Sequence, residues 1–196
     1  MLRTVSLSLS LLALLATAAH AAGLVKVEGS DRKVPDALSL DVNGTPTPLR
    51  LTGTGLREKA WVNVYIIASY LADGVVASSA ASLAAADAPK VLLLVLERDV
   101  DGDTMGAALR ESIEANAGQK FAADVKQLEA FFTKHPVKTG MSITFTAIPG
   151  QGVVCEIGNG AKLSVATAGF QKAVWDIWLG SKPAQDSIKK TLVKRL

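Results

Sequence analysis

Two residues of this chain, Arg57 and Tyr65, have the types and the spacing to hold an acidic group. Arg57 follows Gly53-Thr54-Gly55, and an apolar stretch over residues 61–71 follows Arg57. A guanidinium at the mouth of an apolar layer is a natural carboxylate receptor, because its planar fork pairs with two oxygens. Tyr65 lies on the apolar stretch, and a buried phenol needs a partner for its hydroxyl. On pattern alone the pair also reads, more simply, as a surface arginine and a core tyrosine. The chain has no Walker loop, dinucleotide fingerprint or nucleophile elbow. Gly53-x-Gly55 lacks a third glycine and opens no helix, so it reads as a flexible turn. Carboxylates are plentiful, but none stands in an apolar context that would raise its pKa.

Composition removes several other chemistries. The one cysteine, Cys155, excludes an intramolecular disulfide framework and a cysteine-based metal cluster. His135, in Thr-Lys-His-Pro, reads as the basic last turn of a helix stopped by Pro136. The other histidine, His20, falls in a leader-like segment, so neither a metal site nor a cofactor is expected. A formal charge of +3, with no interleaving of basic and aromatic residues, argues against a nucleic-acid surface. With 49% apolar and 20% charged residues, 196 residues suffice for one domain with a real core.

Residues 1–21 read as a secretory signal peptide. Arg3 gives the charged start, residues 5–16 the apolar run, and Ala19-His20-Ala21 the small-x-small cleavage site. The run is too short to span a membrane. No cysteine near the cleavage site could take a lipid, and no Arg-Arg pair signals twin-arginine export. The expectation is a periplasmic or secreted monomer over residues 22–196, without a stable membrane anchor.

Elements must hold Arg57 and Tyr65 in place. Period two along 61–71 puts Trp61, Asn63, Tyr65, Ile67 and Ser69 on one face, and Val62, Val64, Ile66, Ala68 and Tyr70 on the other. Both faces are largely apolar, so a central strand covered on both sides is predicted. Before it, residues 37–42 alternate, Asn43-Gly44 signals a hairpin, and residues 48–51 return. Further strands are predicted at 90–96, 141–148, 153–157 and 162–166, the last two joined by Gly158-Asn159-Gly160. Helices are predicted at 78–86, 104–117, 121–134 and 167–179, with another opened by Ser181 and Pro183 and carrying Ile188 and Leu192 inward. Lys189, Lys190, Lys194 and Arg195 read as a solvated helix face. Hairpins and helix pairs together argue for an α+β fold, a large antiparallel sheet with helices on one face.

Two motifs carry a resemblance. Thr54-Gly55-Leu56-Arg57-Glu58-Lys59, followed by Val64-Tyr65-Ile66-Ile67-Ala68-Ser69-Tyr70-Leu71, resembles the chalcone isomerase fold family. Its plant fatty-acid-binding members and bacterial exported members carry a similar Gly-x-Gly-x-Arg-x-Lys and Val-Tyr-x-x-x-x-Tyr-Leu strand. Gly169-Phe170, the run from Ala173 to Gly180, and Lys182-Pro183 resemble the family's helix ending in a Leu-Gly-x-x-Pro turn. The resemblance covers most of residues 37–196 and implies an open-faced β-sandwich with a ligand cleft between sheet and helices.

In the plant isomerases the matching arginine steers a ring closure, helped by a strand threonine, a helix tyrosine and asparagine, and a threonine on the last long helix. Here Tyr65 replaces the strand threonine and Ile177 the last-helix threonine. Residues 104–117 contain no tyrosine, and Asn116 matches the asparagine only loosely. An enolate-forming enzyme needs oriented donors, and most are absent. The resemblance to the fatty-acid-binding branch instead implies a noncatalytic protein, with Arg57 and Tyr65 on the head group of a small lipophilic carboxylate. Trp61, Ile67, Phe170, Val174, Ile177 and Trp178 would supply its apolar wall. Two alternatives stay open: an intramolecular lyase or isomerase using Arg57 as electrophile, and a protein-interaction module whose cleft is a relic.

Overall fold

A computed structural model describes residues 23–196, and the leader-like segment 1–21 lies outside them. Strands β1 (Leu24–Lys26) and β2 (Lys33–Pro35) form a small antiparallel ribbon. Strands β3 (Ala37–Val42), β4 (Thr45–Lys59), β5 (Val62–Ala72), β6 (Lys90–Leu96), β7 (Ser142–Ile148), β8 (Gly152–Ile157) and β9 (Lys162–Val165) form one antiparallel sheet, each strand beside its neighbour in sequence. Helix α1 (Ala80–Ala85) follows β5. Helices α2 (Gly102–Ala117) and α3 (Ala122–Lys134) follow β6, and α4 (Phe170–Leu179) and α5 (Asp186–Thr191) close the chain. The α+β architecture with a large antiparallel sheet is therefore as expected.

The two sheet faces bury two separate cores. Tyr65, Ile67 and Leu71 of β5 join the helix-side core with Leu109, Phe145, Trp175 and Trp178. Ile66, Ala68 and Tyr70 face the other way, under the β1–β2 ribbon with Val27, Val34 and Leu51. The Tyr70 hydroxyl donates to the Pro35 carbonyl at 2.9 Å and so ties the ribbon down. A strand apolar on both faces needs cover on both, and β5 has it. Lys90 is fully buried, and its ammonium donates to the carbonyls of Ala84 (2.7 Å) and Ala86 (2.8 Å) at the end of α1. It also stands 4.9 Å over the Trp175 ring, fastening α1 and α4 to β6.

Three local expectations are corrected. Gly53 and Gly55 lie within β4, a strand of 15 residues, and make no flexible turn. Their missing side chains admit α5: a Cβ on Gly53 would stand 2.2 Å from the Thr191 carbonyl oxygen, and one on Gly55 3.0 Å from Thr191 Oγ1. Close backbone approach, not chain reversal, is what these glycines serve. Second, the register shifts at Arg57 and Glu58, which face Tyr65 and Asn63, so Val64 is an extra residue on β5. This bulge breaks the period. Val64 packs on the helix-side core beside Tyr65, and Asn63 turns away to donate to the Gly29 carbonyl of the β1–β2 loop. Third, α5 begins only after Gln185, so Ser181 and Pro183 belong to the loop before it.

Candidate functional site

Arg57 and Tyr65 are direct cross-strand partners, so both side chains leave the sheet on the helix side. The Arg57 Nη1 donates to Gln185 Oε1 at 3.0 Å and to the Glu58 carbonyl at 3.0 Å. Gln185 also accepts the Glu58 backbone N–H at 3.2 Å. The loop before α5 thereby aims a half-buried guanidinium that has no carboxylate partner among the described residues.

Tyr65 is buried, and its hydroxyl accepts a hydrogen bond from Trp178 Nε1 at 2.9 Å. Acceptance leaves the phenol proton itself available, and it has no acceptor among the described residues. Burial raises the Tyr65 pKa, while the Trp178 hydrogen bond and the neighbouring Arg57 charge oppose that rise. Trp178 is held in turn by its packing on Phe145, ring centres 6.1 Å apart.

These groups line a cavity of about 120 Å³ between β4, β5 and α2. Its floor is apolar and buried: Leu94, Met105, Leu109, Ile177 and Trp178. Its rim is exposed and polar at Lys59 and Thr104. Ligand sites usually measure about 300–1,000 Å³, so the space as shaped takes a compact acid or the head of a longer one. Two converging donors, one of them cationic, over an apolar floor suit an anionic acceptor with a lipophilic body. A larger open groove of about 490 Å³ runs between β4 and α5, but Arg57 and Tyr65 do not line it.

Of the residues expected here, Arg57, Tyr65, Ile177 and Trp178 come together. Ile67 does not: it points to the helix side but is fully buried in the core away from the cavity. Phe170 and Val174 likewise pack in the core, against Leu128 and Phe145, and not on the cavity. Trp61 is 98% exposed at the β4–β5 turn. The strand expected to begin at Trp61 begins at Val62, because Ala60 and Trp61 are the two residues of a tight hairpin turn. Asn116 serves structure: its side chain accepts the Lys182 N–H at 2.9 Å and donates to the Lys182 carbonyl at 2.9 Å, joining α2 to the α4–α5 loop. Met105, Leu109, Val64 and Gln185 are site residues the sequence reading missed. Met105 and Leu109 stand four apart on the apolar face of α2, a pattern that marks burial but does not distinguish a cavity wall from core.

A family model described as chalcone isomerase-like matches residues 26–193. No curated protein matches the chain. Among solved structures, a fatty-acid binding protein of Arabidopsis thaliana has a similar fold, with a TM-score of 0.67 at 15% identity. The match covers 87% of this chain and 96% of that one.

Proposed function

The chain belongs to the chalcone isomerase-like family, and on that basis we propose that it is a noncatalytic protein whose cleft binds a small lipophilic acid. The observation that carries this reading is the paired donor set. Among the described residues the Tyr65 proton lacks an acceptor and the Arg57 guanidinium lacks a carboxylate, above one apolar floor. Both would be answered by one carboxylate, the guanidinium giving charge-assisted hydrogen bonds and the phenol a neutral one. The Arabidopsis fatty-acid binding protein of similar fold supports a ligand of this class.

The cavity volume restricts the acid. A short or ring-bearing carboxylate fits the space of about 120 Å³, and a long chain requires Met105 and Leu109 of α2 to move aside. The ring-closing reading lacks two of the donors that the resemblance implies: Ile177 presents hydrocarbon to the cavity, and Asn116 is committed to Lys182. The leader-like residues 1–21 support a periplasmic or secreted location, and cell fractionation checks it.

Native mass spectrometry of protein purified from its own host tests the reading. An adduct whose mass and fragmentation identify a lipophilic acid, lost in Arg57→Ala, is the expected result. A protein that takes up no carboxylate from a panel of short, ring-bearing and long-chain acids would refute it.

A further inference from the structure

We propose that the β4–β5 turn is a membrane-docking point, at which the Trp61 indole enters the headgroup layer of a lipid bilayer beside the cleft mouth. Trp61 is 98% exposed and its neighbour Val62 44% exposed, while Trp175 and Trp178 are fully buried. An indole that covers nothing gives the fold no burial. The backbone there does not favour it either. Ala60 and Trp61 both have positive φ, 49° and 61°, a left-handed conformation that a side chain resists. The same chain builds its β3–β4 turn from Asn43 and Gly44, residues suited to that geometry. A residue that costs the fold strain and returns no packing points to use elsewhere.

The shape of the tip selects the partner. Two side chains on a convex turn cannot supply the roughly 800 Å² per partner of a stable protein interface. A bilayer interface needs no complementary pocket, and an indole settles there with its apolar ring in the acyl boundary and its N–H among headgroups. Exposed Lys59 precedes the turn, and exposed Arg98 lies in the bend after β6, on the same end of the sheet, since the neighbouring Glu97 N–H donates to the Val64 carbonyl of β5. Neither cation is in an ion pair among the described residues. Exposed Glu58 offsets part of that charge, so the indole, not anionic lipid, dominates binding. Lys59 also rims the acid cavity. The docked tip therefore sets the cleft mouth against the phase in which a lipophilic acid is dissolved; this purpose rests on the acid-binding reading, whereas the docking itself does not.

Because two of the three tryptophans are buried, Trp61 alone should respond to vesicles of phosphatidylcholine doped with phosphatidylglycerol. The expected result is a blue shift of its emission and quenching by brominated lipid. The double variant Ala60→Asn/Trp61→Gly should keep or raise Tm and still bind acid in lipid-free buffer. Its co-sedimentation with vesicles should fall at least about tenfold. No blue shift and no quenching, or co-sedimentation unchanged in the double variant, would overturn the proposal. So would a protein partner that buries Trp61 in a chain showing no vesicle binding. Loss of acid binding by the parent protein without vesicles would count against the cleft and leave the docking result to stand by itself.

Discussion

Replacing Tyr65 by Phe removes one oxygen and leaves the ring, so it tests a single bond. That oxygen is the acceptor for Trp178 Nε1 at 2.9 Å, and Trp178 is 0% exposed. The indole N–H would then be buried with no partner, which costs about 1–3 kcal/mol. A chain of this size loses about 2–4 °C of Tm per kcal/mol, so a fall of roughly 2–12 °C is expected. The ring shape is conserved, so no cavity term adds to it. Thermal unfolding with and without Trp178→Phe completes a double-mutant cycle. Once the N–H is gone, Tyr65→Phe should cost little, giving a coupling of about 1 kcal/mol or more between the two sites. Near-ultraviolet circular dichroism should change with the Trp178 environment. A Tyr65→Phe protein as stable as the parent, or costs that simply add, would refute the idea that this hydroxyl anchors the indole.

Gly53→Ala should destabilise by about 1–3 kcal/mol through overpacking, because its Cβ meets the Thr191 backbone at 2.2 Å. Acid affinity should fall with it, as α5 carries Gln185 away from Arg57; unfolding and titration calorimetry read the two effects. Burial lowers the Lys90 pKa to about 8 from 10.5, so the folded state sheds its proton before the unfolded chain does. The unfolded chain then binds more protons, and stability should rise with pH between about 8 and 10, by at most ~1.4 kcal/mol per pH unit. Above that, Tyr65 and Tyr70, whose pKa values burial raises, reverse the trend. Urea unfolding across this range should show the rise, and Lys90→Met should lack it. Burial also raises the Cys155 thiol pKa, so a bulky thiol reagent should label it only after unfolding, as mass spectrometry can show.

Much of the sheet was legible because its signals are local. Asn43-Gly44 specifies a primed turn, and the β6 run is strand-length and apolar. The site was legible only in part. Arg57 and Tyr65 could be paired because a hairpin brings them opposite each other. Asn63 was assigned to the wrong face because the Val64 bulge, set by three-dimensional pairing, shifts the alternation by one. Gly53 and Gly55 looked like a turn because their reason, the close approach of α5 and the residue that follows it, lies more than a hundred residues along the chain. Ile67, Phe170 and Val174 show the general limit. Their hydrophobicity fixes that they are buried, while which buried residues border a space depends on the packing of α2.

The most direct measurement compares a lipophilic acid with its matching alcohol on the parent protein and on Arg57→Ala. The parent should bind the acid more tightly. Arg57→Ala should weaken acid binding by about 1.5–3 kcal/mol, the scale of a hydrogen bond to a charged group, or roughly 10- to 150-fold. Alcohol affinity should stay within a factor of a few, which separates loss of the charge from damage to the loop that Arg57 holds through Gln185. Equal losses for acid and alcohol would contradict the assignment, and would make Arg57 a support for the α5 loop with no hold on a carboxylate.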